Sequence, residues 1–250
     1  MINNPKEQAS RKVAKNIAVI LAGGAGVRFG SDIPKQHIKI GHKSVLDYTI
    51  DAFERHEHID EIVLVVAAGY EDGVKKRCAQ LGRQKVRHIV TGGKERYLSS
   101  LAALQIFETG MDAPSCNLLF HDAARPLVSE TVITNVIMAL QEHQAVTVAV
   151  PATDTILQKT QDGRHIACIP DRSLLMAAQT PQGFQLPIIR EAYRRAIASG
   201  SIVASDDCGI VLSYMPEVPI FIASGDPRNI KITYPDDFDR FAEIVGKNLL

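Results

Sequence analysis

An apolar run of strand length, Ile17-Ala18-Val19-Ile20-Leu21-Ala22, breaks into Gly23-Gly24-Ala25-Gly26-Val27-Arg28-Phe29-Gly30, and Pro34-Lys35-Gln36 follows at once. A run with no polar face reads as a strand buried on both sides, the place of a central strand in a parallel sheet covered by helices. The glycines that end it have no Cβ, so their N–H groups can approach phosphate oxygens closely and the loop can take positive φ without strain. Arg28 and Lys35 put charge where phosphate charge needs neutralising. The spacing Gly24-x-Gly26-x-x-x-Gly30 departs from the dinucleotide fingerprint G-x-G-x-x-G, and the loop lacks the G-K-[ST] ending of a P-loop. A loop that wraps a triphosphate is the functional reading, and a tight turn without a ligand is the bland one.

Similar runs recur at Ile62 to Ala67, Val86 to Val90, Asn117 to His121, Ala145 to Val150 and Ile220 to Ala223. Between them, Val45 to His56, Leu98 to Glu108, Glu130 to Gln141 and Ile188 to Ala198 show helical spacing, with Ser129 placed to cap the third of these. Strands alternating with helices predict an α/β fold with a mostly parallel sheet covered on both faces, its ligands at the carboxyl ends of the strands. The 250 residues, 46% hydrophobic and 22% charged, suffice for one large domain spanning 1–250. The segment 153–180 breaks the rhythm: Asp162-Gly163 forms a turn between two short alternating runs, which predicts a hairpin arm leaving the main body. An isolated hairpin is marginal in water, so a second subunit is the simplest surface for it to pack on.

Lys plus Arg balance Asp plus Glu at 28 each, so no overall field favours nucleic acid or an anionic membrane. Cys78, Cys116, Cys168 and Cys208 are widely spaced and form no CxxC pair, the pattern of free thiols in a reducing compartment. No run of 18 apolar residues and no signal-peptide core are found, which points to a cytoplasmic protein.

Three further segments carry chemistry. In His121-Asp122-Ala123-Ala124-Arg125-Pro126, at the end of a strand, a carboxylate and a guanidinium can hold a metal or ribose with one and a phosphate with the other; the alternative is a solvated ion pair. His121 reads equally as a packed histidine or a catalytic one. Gly92-Gly93-Lys94-Glu95-Arg96-Tyr97-Leu98-Ser99-Ser100 can read the edge of a base through its backbone and the Ser99 hydroxyl, or simply cap the helix that follows. Ser205-Asp206-Asp207 and Asn229-Ile230-Lys231-Ile232-Thr233 add carboxylates and a lysine.

Taken in order, LAGGAGVRFG with PKQ, GGKERYLSS, HDAARP, PATDTI, QTPQGF and GDPRNIKIT resemble the cytidylyltransferases that activate phosphorylated sugar alcohols, acting on 2-C-methyl-D-erythritol 4-phosphate or on ribitol 5-phosphate. The resemblance spans 17 to about 240. It implies a Rossmann-like nucleotidyltransferase fold with a protruding β-arm, a homodimer joined by that arm, and a Mg²⁺-dependent reaction with CTP that releases pyrophosphate. It places Ala22, Gly23, Gly24, Gly93, Lys94, Ser99 and Asp122 against the nucleotide. Arg28, Lys35 and Lys231 become the cations of the triphosphate and transition state. Arg125, Thr155, Arg172, Thr180 and Ser205 line the acceptor side, with Thr155 and Arg172 acting in the partner's site. Asp122 is the side chain expected near the metal, which the CTP phosphates mainly hold.

The attacking phosphate monoester is mostly a dianion at neutral pH and needs no dedicated base. Its obstacle is repulsion by CTP, which fixed cations and positioning relieve. Leu21-Ala22-Gly23-Gly24, Leu157 and Ser205 lean towards ribitol phosphate as acceptor, whereas Ala123-Ala124, QTPQGF and GDPRNIKIT lean towards methylerythritol phosphate, the expectation adopted. An inactive paralogue is expected to lack Arg28, Lys35 or Lys231. A nicotinamide-dependent dehydrogenase needs an acidic ribose clamp where this chain reads Ala67-Ala68-Gly69-Tyr70.

Overall fold

In the computed structural model, which describes residues 14–24, 34–107, 116–202 and 204–247, the first apolar run forms strand β1 (Lys15–Ala22). Two short strands, β2 (Lys39–Ile40) and β3 (Lys43–Ser44), lead into helix α1 (Val45–Arg55). Then come β4 (Glu61–Val66), α2 (Glu71–Gln80), β5 (Val86–Thr91), α3 (Arg96–Gln105), β6 (Cys116–Asp122), α4 (Glu130–Ala139) and β7 (Ala145–Pro151). A hairpin of β8 (Gln158–Lys159) and β9 (Ile166–Cys168) precedes β10 (Met176–Gln185), α5 (Leu186–Ala198), α6 (Asp207–Tyr214), β11 (Ile220–Ser224) and α7 (Pro235–Lys247).

Among the described residues the main sheet has seven strands in the order β11-β7-β10-β6-β1-β4-β5. β1 pairs in parallel with β4 and β6, β4 with β5, and β7 with β11; β10 alone runs antiparallel, between β6 and β7. Alternation along β1 divides the core. Ala18 and Ile20 join Ile50, Phe53 and Leu64 on one face, and Ile17 and Val19 join Val63, Phe120 and Phe184 on the other, all 0% exposed. Each such side chain contributes roughly 2 kcal/mol of burial, which fixes the central strands and so the loops at their carboxyl ends.

The expected strands and helices are found with ends shifted by a few residues, and Ser129 caps α4, its hydroxyl accepting from Val132 N. α1 is held by a capping box in which Ser44 and Asp47 satisfy each other's backbone N–H groups. The expected hairpin is present, with Gly163 at φ 72° in its turn. Residues 176–180 of the expected arm belong instead to β10 of the main sheet, where Gln179 and Thr180 are buried. All four cysteines are free. Among the described residues no helix is long and apolar enough to cross a membrane.

Candidate active site

The carboxyl ends of β1, β5 and β6 open on one side of the sheet, and two glycine turns meet there. Gln36, buried in a short helical turn at Lys35–His37, donates to the carbonyls of Ala22 at 2.8 Å and Gly24 at 3.0 Å, which sets the backbone after β1. After β5, Gly92 N–H donates to Val66 O at 2.7 Å. The Ser99 hydroxyl lies between the turns: a Cβ at Gly23 would stand 2.8 Å from it and one at Gly92 2.7 Å. A Cβ on Gly93 would fall 2.3 Å from Leu98 Cβ. Here glycine is required for close approach of backbone to backbone.

Asp122, the last residue of β6, is the hub of the cleft floor. Lys231 Nζ lies 2.7 Å from its Oδ2, Arg96 Nε 3.3 Å from its Oδ1, and Arg125 Nε 3.8 Å from Oδ2. Burial alone raises a carboxyl pKa, but the charges of Arg96, Lys231 and Arg125 outweigh it and hold Asp122 well below the usual carboxylate range. Lys231 is placed by its neighbour: Ile232 is 0% exposed in a small cluster with Val45, Phe241 and Val245, and its N–H donates to Ala124 O at 2.8 Å. Lys35 Nζ donates to Ile232 O at 2.6 Å, so the two lysines share one backbone anchor.

His121 is structural. Burial pushes its pKa down to about 4, so the ring is neutral. With Nε2 protonated, it donates to Arg125 O at 3.0 Å while Nδ1 accepts from the Thr180 hydroxyl at 3.0 Å. Thr180 Oγ1 in turn accepts from Asp122 N–H at 3.2 Å.

Ala22, Gly23, Gly24, Lys35, Gly93, Lys94 and Ser99 line a cleft of about 430 Å³. Asp122, Ser205 and Lys231 close it. Ten of the expected site residues thus come together, in a volume suited to a nucleotide. Thr180 lies beneath Asp122 rather than in the cleft. Arg125 faces a neighbouring groove of about 830 Å³, its guanidinium donating to Asn229 O at 2.8 Å and Ala178 O at 3.2 Å. Thr155 and Arg172 are exposed and do not line this cleft; Arg172 Nη1 donates to Thr153 O, at the rim of the neighbouring groove. Arg28 lies outside the described residues.

Gln36, Arg96 and Asp207 lie inside the quoted segments PKQ, GGKERYLSS and Ser205-Asp206-Asp207, but the sequence alone assigns them no individual role, because only the fold brings their partners to them. Asp122 faces three cations, and among the described residues no three metal-ligating side chains come together.

A mostly parallel sheet whose strand ends carry a glycine-lined cleft with lysines in its lining is the arrangement of a nucleotidyltransferase. Residues 16–247 match the family described as IspD, 2-C-methyl-D-erythritol 4-phosphate cytidylyltransferase, and the chain belongs to that family of CTP-using enzymes. It is 44% identical over 234 residues to the 2-C-methyl-D-erythritol 4-phosphate cytidylyltransferase of Thermobifida fusca, covering 92% of this chain and 93% of that one. It is also 40% identical to the bifunctional ribulose 5-phosphate reductase/CDP-ribitol pyrophosphorylase Bcs1 of Haemophilus influenzae, over 89% of this chain and 46% of that protein. Among solved structures, 4-diphosphocytidyl-2C-methyl-D-erythritol synthase from Anaerococcus prevotii superposes with a TM-score of 0.78 at 28% identity, over 93% of this chain and 99% of that one.

Proposed function

We propose that the protein transfers the cytidylyl group of CTP to 2-C-methyl-D-erythritol 4-phosphate and releases pyrophosphate. The observation that carries this reading is the single cleft in which the turns at Gly23 and Gly93 face Lys35, Lys231 and Asp122. The edge of cytosine is read by backbone groups of Ala22, Gly23, Gly93 and Lys94 and by the Ser99 hydroxyl. An oxygen of the acceptor's phosphate attacks the α-phosphorus, the bond from that phosphorus to the bridging oxygen breaks, and pyrophosphate leaves with the electron pair. Lys35, Lys231 and Arg28 stabilise the charge that accumulates, and the acceptor enters beside Ser205 and Arg125.

Magnesium enters as the ion chelated by CTP. The cleft supports that role rather than a resident metal, because Asp122 is already balanced by Arg96, Lys231 and Arg125. The enzyme works as a cytoplasmic homodimer, and Thr155 and Arg172 reach the partner's acceptor pocket from the arm. Lysines at both 35 and 231 lining the cleft argue against an inactive paralogue.

Ribitol 5-phosphate is the second acceptor reading. Ser205 favours it, because its small hydroxyl lines the cleft and leaves room for a longer polyol chain, as does the likeness to Bcs1. Pyrophosphate release with CTP and Mg²⁺, measured with both acceptors in parallel, decides between them. Faster release with 2-C-methyl-D-erythritol 4-phosphate is expected, faster release with ribitol 5-phosphate selects the second reading, and release with neither overturns both.

A further inference from the structure

The cations of the cleft floor are backed by a carboxylate that the cleft itself does not expose. Asp207, in the first turn of α6, is 0% exposed. Its Oδ2 lies 2.5 Å from Arg96 Nη1, and its Oδ1 accepts from the Tyr193 hydroxyl of α5 at 2.8 Å. Arg96 then meets Asp122 through Nε, and Asp122 meets Lys231. From core to cleft the order is Tyr193, Asp207, Arg96, Asp122, Lys231, each touching the next.

Stability does not account for this arrangement. A buried ion pair recovers little more than the cost of removing its charges from water, and apolar side chains of the same volume often stabilise as well or better. What apolar side chains cannot do is aim a guanidinium. An unrestrained arginine favours a two-pronged grip on a carboxylate. Pinned by Asp207, Arg96 reaches only Oδ1 of Asp122, at 3.3 Å, and leaves Oδ2 to Lys231 at 2.7 Å, with Arg125 Nε further off at 3.8 Å. Among the described residues the buried Nη2 of Arg96 meets no hydrogen-bond partner, so Asp207 and Asp122 are the groups that orient this guanidinium.

We propose that Asp207 is a positioning residue for the transfer: supported by Tyr193, it fixes Arg96 so that one oxygen of Asp122 stays available to hold Lys231 towards the reacting phosphates. This rests on the cytidylyltransferase reading and deepens it. Asp207 touches no substrate, so its removal acts on turnover rather than on nucleotide binding.

The test is steady-state pyrophosphate release by the wild type, Asp207→Asn, Arg96→Gln, the double variant and Tyr193→Phe, with folding checked by circular dichroism. Asp207→Asn is expected to lower kcat about tenfold while KM for CTP stays within roughly threefold. If Asp207 acts through Arg96, the double variant turns over within about twofold of Arg96→Gln alone. Unchanged kcat in Asp207→Asn, or single effects that multiply in the double variant, overturns the proposal. Should Asp207→Asn fail to fold, Tyr193→Phe, which lacks a single hydroxyl, decides: a roughly threefold loss of kcat at constant KM supports the relay, and no loss overturns it. A wild type that releases no pyrophosphate with either acceptor overturns the function reading and this one with it, whereas an active wild type with unaffected variants overturns this one alone.

Discussion

At the level of single residues, His121 illustrates how a histidine beside the cleft carboxylate Asp122 serves structure. Its two ring nitrogens bridge the Arg125 carbonyl and the Thr180 hydroxyl, so its neutral form is built into the backbone under Asp122. The native pKa of about 4 lies below the 6.5 of an unperturbed histidine. The unfolded chain therefore binds the proton more tightly, and the stability contributed by the neutral ring is complete above pH 6.5 and is lost as pH falls towards 4. The size of that loss is about 3 kcal/mol. His121→Gln, which has a donor and an acceptor but does not titrate, is expected to show a shallower fall in unfolding free energy from pH 7 to 4, measured by urea titration at each pH. Burial lowers the pKa of His37 and His56 in the same direction, but both are present in wild type and variant, so the difference isolates His121. Equal slopes for the two proteins would refute the assignment.

Among the elements, α6 has the clearest role, because its first turn delivers Asp207 and the residue two before it, Ser205, lines the cleft. Asp206 caps that turn, accepting from Gly209 N–H at 2.8 Å with one oxygen and from Gln182 Nε2 at 2.7 Å with the other. Asp206→Ala removes both bonds and is expected to cost about 2 kcal/mol. A urea midpoint that falls at constant m checks this; an unchanged midpoint counts against the cap. The cap and its partner also mark where sequence reading succeeds and fails. β1, β4 and β6 were legible because they are buried on both faces and read as unbroken apolar runs. β10, MAAQTPQGFQ, was not: its buried Gln179, Thr180 and Gln182 look like loop residues until Asp226 O, Asn229 and Asp206 are found satisfying them. α2 was missed because only Val74 and Cys78 are buried in an otherwise polar helix. In the site, glycines and lysines announced themselves by local pattern, whereas the Arg96 to Asp207 contact joins residues 111 positions apart and has no local signature.

For the whole molecule, the hairpin arm sets the terms. Its strands are two and three residues long, too short to stand alone in water. Yet Leu157, Ile166, Ile169 and Leu174 along it are exposed, Leu174 to 80%. A patch of this kind on a protruding element calls for cover, and in the homodimer proposed above a two-fold related copy of the same chain would supply it symmetrically. In the proposed dimer Thr155 and Arg172 complete the partner's acceptor pocket, consistent with neither residue lining its own chain's cleft. Complementation tests this directly. Lys231→Ala removes a cation aimed at the transition state and is expected to cost about a hundredfold in kcat, or ~3 kcal/mol. Arg172→Ala is expected to be similarly impaired if it binds the acceptor phosphate. If Arg172 serves the partner's site, a dimer of one Lys231→Ala chain and one Arg172→Ala chain has one site with both defects and one with neither. Random reassortment of the two variants then restores about a quarter of wild-type activity, because half of the dimers are mixed and each has one of two sites intact. If Arg172 serves its own chain, every site in the mixture lacks one of the two residues and no activity returns on mixing. Activity regained after co-refolding, with sedimentation confirming dimers, supports the shared site; activity no higher than the mean of the two variants rejects it.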